Sequence, residues 1–119
     1  MRKIIIGQTY CFPIRMLSQV VEIYDLLDDG GVNGKKVKEF FQKRGHKEVE
    51  VKKVKGDNGY TEFVKIVIEG KNGKLSHGNS PTLGIIGRLG GIGGRPLRIG
   101  LVSDGDGAIA ALSVALKLI

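Results

Sequence analysis

The feature of the sequence that most constrains its fold is the apolar ending. Residues 108–119 follow helical spacing and carry almost no polar side chain. A helix that is apolar nearly all round is typical of burial on more than one side. The sequence therefore predicts either that this C-terminal helix packs against a second copy of the chain, giving a homodimer, or that the chain is the front part of a longer fold.

The stretch before that helix predicts buried strands. Residues 81–107 hold nine of the 19 glycines and only five charged side chains. Residues 83–86 and 97–102 have few polar positions, as central strands of a covered sheet do. Both segments are therefore predicted to be central strands.

Two helices and a hairpin are predicted upstream. The first helix starts near residue 16, and its apolar residues at helical spacing form one stripe: Leu17, Val20, Val21, Tyr24 and Leu27. A second helix follows the N-cap Asn33, turns Val37, Phe40 and Phe41 inward, and ends at Gly45. Alternating residues at 49–54 and the apolar run at 63–68, separated by the turn at 57–59, predict two antiparallel strands.

The element order predicts an α/β domain with a mixed β-sheet and flanking helices. We expect residues 1–15 to form an N-terminal extension whose sequence is compatible with a short strand, and residues 16–119 to form a single α/β domain. A length of 119 residues is too short for two ordinary domains.

Charge and composition narrow the functional classes. Residues 35–55 hold nine Lys or Arg and three Glu, a net of +6 out of the chain's +7. This basic stretch lacks interleaved aromatic residues that would stack on bases, since Phe40 and Phe41 are predicted to face inward. Nucleic-acid binding is therefore the weaker interpretation and a solvated lysine face the stronger one. No apolar run is long enough to span a bilayer, the opening is too short for a secretory signal, and Cys11 has no partner. A soluble cytoplasmic protein is expected.

A glycine-rich loop between the two predicted central strands is the first candidate site. Glycine lets the backbone approach an anion closely, and a ligand-lining role would use Gly91, Gly93, Arg88 and Arg95. The loop is followed by Pro96 and a predicted strand instead of a helix N-terminus, so it does not match a phosphate-binding loop. A purely conformational role is the alternative.

Asp104 and Asp106 form the second candidate site, because they follow a predicted buried strand and open a helix. Two carboxylates at this spacing are suited to a divalent metal ion. The alternative is structural, with Asp106 as the N-cap of the last helix. The additional ligands of an EF-hand loop are missing.

From about Leu17 onward the sequence resembles the N-terminal part of an uncharacterised prokaryotic protein family, a domain of unknown function. The matching blocks are residues 21–29 and 81–108. That family is remotely similar to zinc-dependent exopeptidases, so the resemblance implies the front part of a peptidase-like fold of the phosphorylase/hydrolase-like type. It also implies that Asp104 occupies the position of a metal-bridging aspartate and that zinc is the metal.

The resemblance also implies an incomplete site. In the exopeptidases a His-x-Asp motif ends the preceding strand, whereas residues 83–89 contain no histidine or carboxylate. We therefore expect a self-associating α/β domain without independent catalysis. The alternatives are a metal-dependent hydrolase that uses Asp104 and Asp106, and, more weakly, anion or nucleic-acid binding through residues 35–55.

Overall fold

The structure, a computed structural model, describes residues 16–90, 100–101 and 104–119. Within them the order is α1 (Leu17–Leu27), α2 (Gly34–Gln42), β1 (Val49–Lys55), β2 (Tyr60–Ile66), a 3₁₀ turn (Lys74–Ser76) and α3 (Asp106–Leu118). The predicted combination of helices and sheet is confirmed. The sheet of the described residues is a two-stranded antiparallel hairpin, however, so the predicted mixed sheet is not found there. The predicted extension at residues 1–15 lies outside the described part.

Helix α2 forms as its sequence predicts. The Asn33 side chain accepts a hydrogen bond from the Lys36 amide at 2.9 Å, which satisfies one of the free N–H groups at the helix start. Val37 and Phe41 are buried, and the helix ends three residues before Gly45, whose φ of 89° suits glycine. The cap at Asn33, the stop at Gly45 and the apolar face formed by Val37 and Phe41 therefore all indicate the same helix.

The hairpin is also confirmed, with a register that pairs Val49 with Ile66 and Lys55 with Tyr60. Helix α2 covers one side of it. Gly34 lies so close to β1 that a Cβ there would come within 2.6 Å of Val51 Cγ1. The Gly34 amide donates to Glu62 Oε2 at 3.2 Å, which ties the helix start to β2. The side chains that alternate with this covered side point away from α2 and are exposed.

Helix α1 forms where it was predicted, but its inner face is different. Ile23 and Leu27 are fully buried and belong to the same core cluster as Ala108 of α3. The predicted stripe is exposed apart from Leu27. Because α1 carries apolar residues on two faces, periodicity alone does not identify which face packs against α3.

The segment of residues 81–90 corrects another prediction. It contains no strand, and Leu83 and Ile86 are 82% and 97% exposed. An apolar run becomes a central strand only when neighbouring strands pair with both of its edges, and none does so among the described residues. Most of the second predicted central strand, residues 97–102, lies outside the described residues.

Helix α3 packs on α1 but is not enclosed. Ala108 and Ser113 are buried, most of its other apolar side chains are half-buried, and Leu118 is exposed. Among the described residues, the expected burial of α3 on several sides is therefore only partly achieved. None of the helices in the described residues is both long and apolar enough to cross a bilayer.

Candidate functional site at the start of helix α3

The start of α3 is held by the segment of residues 87–90. The Ala108 amide donates to the Arg88 carbonyl at 3.1 Å, and the Gly90 amide donates to the Asp104 carbonyl at 3.0 Å. Gly87 makes this approach possible, because a Cβ there would lie 2.6 Å from the carbonyl carbon of Gly107 and 2.9 Å from Ala111 Cβ. The glycines of this segment therefore allow its backbone to lie directly against the backbone at the start of α3.

Asp104 is fixed by its backbone and by an ion pair. Its φ of 56° places it in the left-handed region, which aspartate tolerates better than most residues. Its Oδ2 lies 3.0 Å from Nη1 of Arg88. Both side chains are largely exposed, so this ion pair is weak. The structure thus brings together Arg88, which was predicted to line a ligand-binding loop, and Asp104, which was predicted to bind a metal ion.

Asp106 is not the N-cap that the structural alternative proposed. Gly105 holds that position, no side chain caps the helix, and Asp106 is the first helical residue. A carboxylate in the first turn still interacts favourably with the helix dipole. Glycine suits position 105, because a Cβ there would come within 2.8 Å of Leu101 Cδ2.

Two residues with structural roles were missed by sequence reasoning. Asp28 Oδ1 accepts a hydrogen bond from the Leu101 amide at 2.9 Å, so the end of α1 anchors the segment that leads into α3. Asp29 accepts from the Gly31 amide at 2.9 Å and from Lys36 Nζ at 2.6 Å. The sequence signal that could have revealed these roles is the pair of aspartates at the C-terminal end of α1. The helix dipole disfavours acidic residues there, so each of them needs a specific partner.

The other predicted site residues are only partly described. Gly91, Gly93 and Arg95 lie outside the described residues, so the ligand-lining loop stays a prediction. Within the described part of the chain, no three His, Cys, Asp or Glu side chains form a group suited to a metal ion. Asp104 and Asp106 are thus a pair without a described third ligand.

Several cations of the basic stretch have acidic partners. Lys36 pairs with Asp29, and Arg44 pairs with Glu22 while stacking 3.6 Å above the Phe40 ring. Lys35 lies 3.9 Å from Glu39 one helical turn away. These contacts support the interpretation of α2 as a solvated face and leave the lysines of the hairpin as the less compensated charges.

A comparison with known protein families identifies a family for the second half of the chain. A family described as a protein of unknown function, DUF1177, matches residues 52–119, which is more than half of the sequence. The chain belongs to the DUF1177 family. The match includes β2, α3 and most of β1 and excludes α1 and α2, whereas the sequence resemblance was drawn from about Leu17. No curated protein and no solved structure matches this DUF1177 chain.

Proposed function

We propose that this DUF1177 chain is an association module and that two copies bind each other through the outer stripe of α1. We define this stripe as Leu17, Val20, Val21 and Tyr24. The four side chains are 36% to 67% exposed, although they follow one another at the spacing of a helix-packing face. The stripe contains no charged residue, so it is complementary to itself across a two-fold axis.

The expected free energy of dimerisation follows from the apolar area that association would remove from water. Completing the burial of a half-exposed leucine, valine or tyrosine side chain contributes about 1 kcal/mol, half of the full-burial value. Two stripes of four residues give about 8 kcal/mol, against an association cost of about 4–15 kcal/mol. We therefore expect a weak dimer whose population rises with concentration.

Sedimentation velocity over a micromolar concentration series tests this proposal. Wild type is expected to shift from monomer to dimer, and the Val21→Glu/Tyr24→Glu variant is expected to dimerise at least about tenfold more weakly, because association would bury unpaired carboxylates. Both positions are exposed in one chain, so the variant should fold. Leu75→Glu is the matched control, since Leu75 is an exposed apolar residue in the 3₁₀ turn, away from α1.

Two results would contradict this assignment. If the wild-type chain stays monomeric across the concentration series, the proposal is wrong. If Val21→Glu/Tyr24→Glu behaves like the control while Leu118→Glu dissociates the dimer, the exposed end of α3 is the interface, as the sequence predicted. We place this association in the cytoplasm, on the basis of the composition and the single cysteine.

A metal-dependent hydrolase of peptidase-like fold is the second candidate. It is favoured by the exposure of both carboxylates, Asp104 and Asp106, on the turn that opens α3. Zinc, the metal that the resemblance implies, needs three or four protein ligands in such sites. The described residues supply two carboxylates, a set that fits a weakly held oxygen-preferring cation better than zinc.

Calorimetric titration with zinc, manganese and magnesium tests the second candidate. If the pair holds a cation, Asp104→Asn/Asp106→Asn abolishes the binding heat. Arg88→Ala is expected to strengthen binding about two- to fivefold, because it removes a competing cation worth about 0.5–1 kcal/mol. Titration without heat for any of the three metals, or heat retained in the double variant, would rule this candidate out.

A further inference from the structure

The hairpin has a second side that no described element covers. We call it the outer hairpin face, and its six side chains alternate with those under α2: Glu50, Lys52, Val54, Thr61, Phe63 and Lys65. All six are exposed, and Phe63 at 57% is the most apolar large side chain among them. Val54, 44% exposed, lines the same groove as Phe63, and exposed apolar side chains that are surrounded by polar ones are typical of interaction sites.

The strand register brings a lysine to this ring. Phe63 pairs directly with Lys52 across the two strands, so the two side chains share the outer face. At the hairpin tip a groove of about 290 Å³ is lined by residues that include Phe63, Val54 and Lys55. An aromatic ring, a shallow apolar groove and lysines therefore lie together in one place.

The positive charge here is poorly compensated. Lys52 and Lys55 form no ion pair with any residue in the described ranges. On the α2 side of the hairpin, Lys53 Nζ lies 3.6 Å above the Tyr60 ring, a contact that leaves its charge unneutralised. The Lys65–Glu50 pair is 3.8 Å apart and mostly exposed, so it is weak and easily exchanged for a better partner.

We propose that the outer hairpin face binds single-stranded nucleic acid. One base stacks on Phe63, and the flanking phosphates contact Lys52 on the same face and Lys55 at the groove of the hairpin tip. Stacking platforms combined with unpaired cations are the general means by which proteins bind single strands, and they require no particular base. The basic stretch of the sequence contains no interleaved aromatic residue within the strand, but antiparallel pairing supplies one from β2.

Fluorescence anisotropy with a labelled oligothymidylate of about 12 nucleotides tests this proposal. Phe63→Ala is expected to weaken binding about 5- to 150-fold, the range found when a stacked aromatic is removed. The control for lost apolar surface is Leu75→Ala, at an exposed residue outside the hairpin, and it should leave affinity unchanged. Thermal unfolding of each variant checks that the exposed substitutions leave the fold intact.

Salt dependence provides an independent readout. Removing one phosphate contact from a single-strand complex lowers the slope of log affinity against log salt by about 0.7. Lys52→Ala is expected to show this decrease. Lys35→Ala, which removes the same charge from the exposed side of α2, is expected to show none.

Three results would overturn the proposal. The first is the absence of wild-type binding at low salt. The second is an equal effect of Phe63→Ala and Leu75→Ala, or of Lys52→Ala and Lys35→Ala, which would indicate general attraction to a basic protein. The third is equal affinity for the single strand and for a duplex of the same length, because stacked bases in a duplex cannot reach Phe63.

Discussion

Replacing Phe41 with alanine is expected to lower the free energy of unfolding by about 3–5 kcal/mol, the usual cost of truncating a buried phenylalanine. Phe41 is 0% exposed and is the largest of the fully buried side chains among the described residues. It belongs to a core that comprises six buried apolar residues in the described ranges, and it contacts the Phe40 ring edge-on at 5.5 Å. Because truncation leaves a cavity in this core, urea denaturation should show a large decrease in midpoint.

The matched control is the same substitution at Phe63. That ring is 57% exposed on the outer hairpin face, so its truncation removes far less buried surface. We expect Phe63→Ala to cost less than about 1 kcal/mol. Equal destabilisation by the two variants would mean that α2 is not the helix that holds this core together.

A methyl group added at Gly87 is expected to destabilise the chain by about 1–3 kcal/mol or more, the range for overpacking. The new Cβ would meet the backbone of Gly107 and the Ala111 methyl group on α3, and backbone atoms of a helix cannot move aside singly. Gly87→Ala should therefore break the hydrogen bond from Ala108 to Arg88 and separate residues 87–90 from α3.

Gly84→Ala is the control for this effect, three residues earlier in the same segment. A Cβ at Gly84 meets no atom within 4 Å, so its stability should change by less than about 1 kcal/mol. Thermal unfolding of both variants distinguishes the two positions. A Gly87→Ala chain as stable as wild type would show that the segment does not pack on α3 as described.

The association proposal and the nucleic-acid proposal use different surfaces. The α1 stripe precedes the part of the chain that the DUF1177 family matches, whereas Phe63 and most of the hairpin lie inside it. The variants that test one surface therefore leave the other intact. Val21→Glu/Tyr24→Glu should bind oligothymidylate like wild type, and Phe63→Ala should dimerise like wild type.

Sequence reasoning succeeded where several local signals coincided. Asn33 capped α2 as expected, because a cap depends only on residues three positions apart. The turn at residues 57–59 and the alternation on either side of it were enough to predict an antiparallel hairpin. At the start of α3, sequence alone found Asp104 and Asp106 but did not predict that Arg88 would pair with one of them.

Sequence reasoning failed where the outcome depended on a distant partner. Residues 83–86 had the composition of a buried strand, but a strand needs hydrogen-bonding neighbours that no local pattern can guarantee. Asp28 lies at the C-terminal end of α1, where the helix dipole disfavours an acid, and its partner, the Leu101 amide, lies 73 residues away. No spacing rule detects a contact of that range.

The sequence by itself determined the helices α1, α2 and α3 and the two paired strands, because caps, turns and apolar periodicity act over a few neighbouring residues. Only the tertiary structure decided which face of α1 is inside and that Phe63 shares a face with Lys52. The physical reason is that burial and register are properties of pairs of elements. When α1 offers two apolar faces, the helix that packs on it buries one and leaves the other exposed.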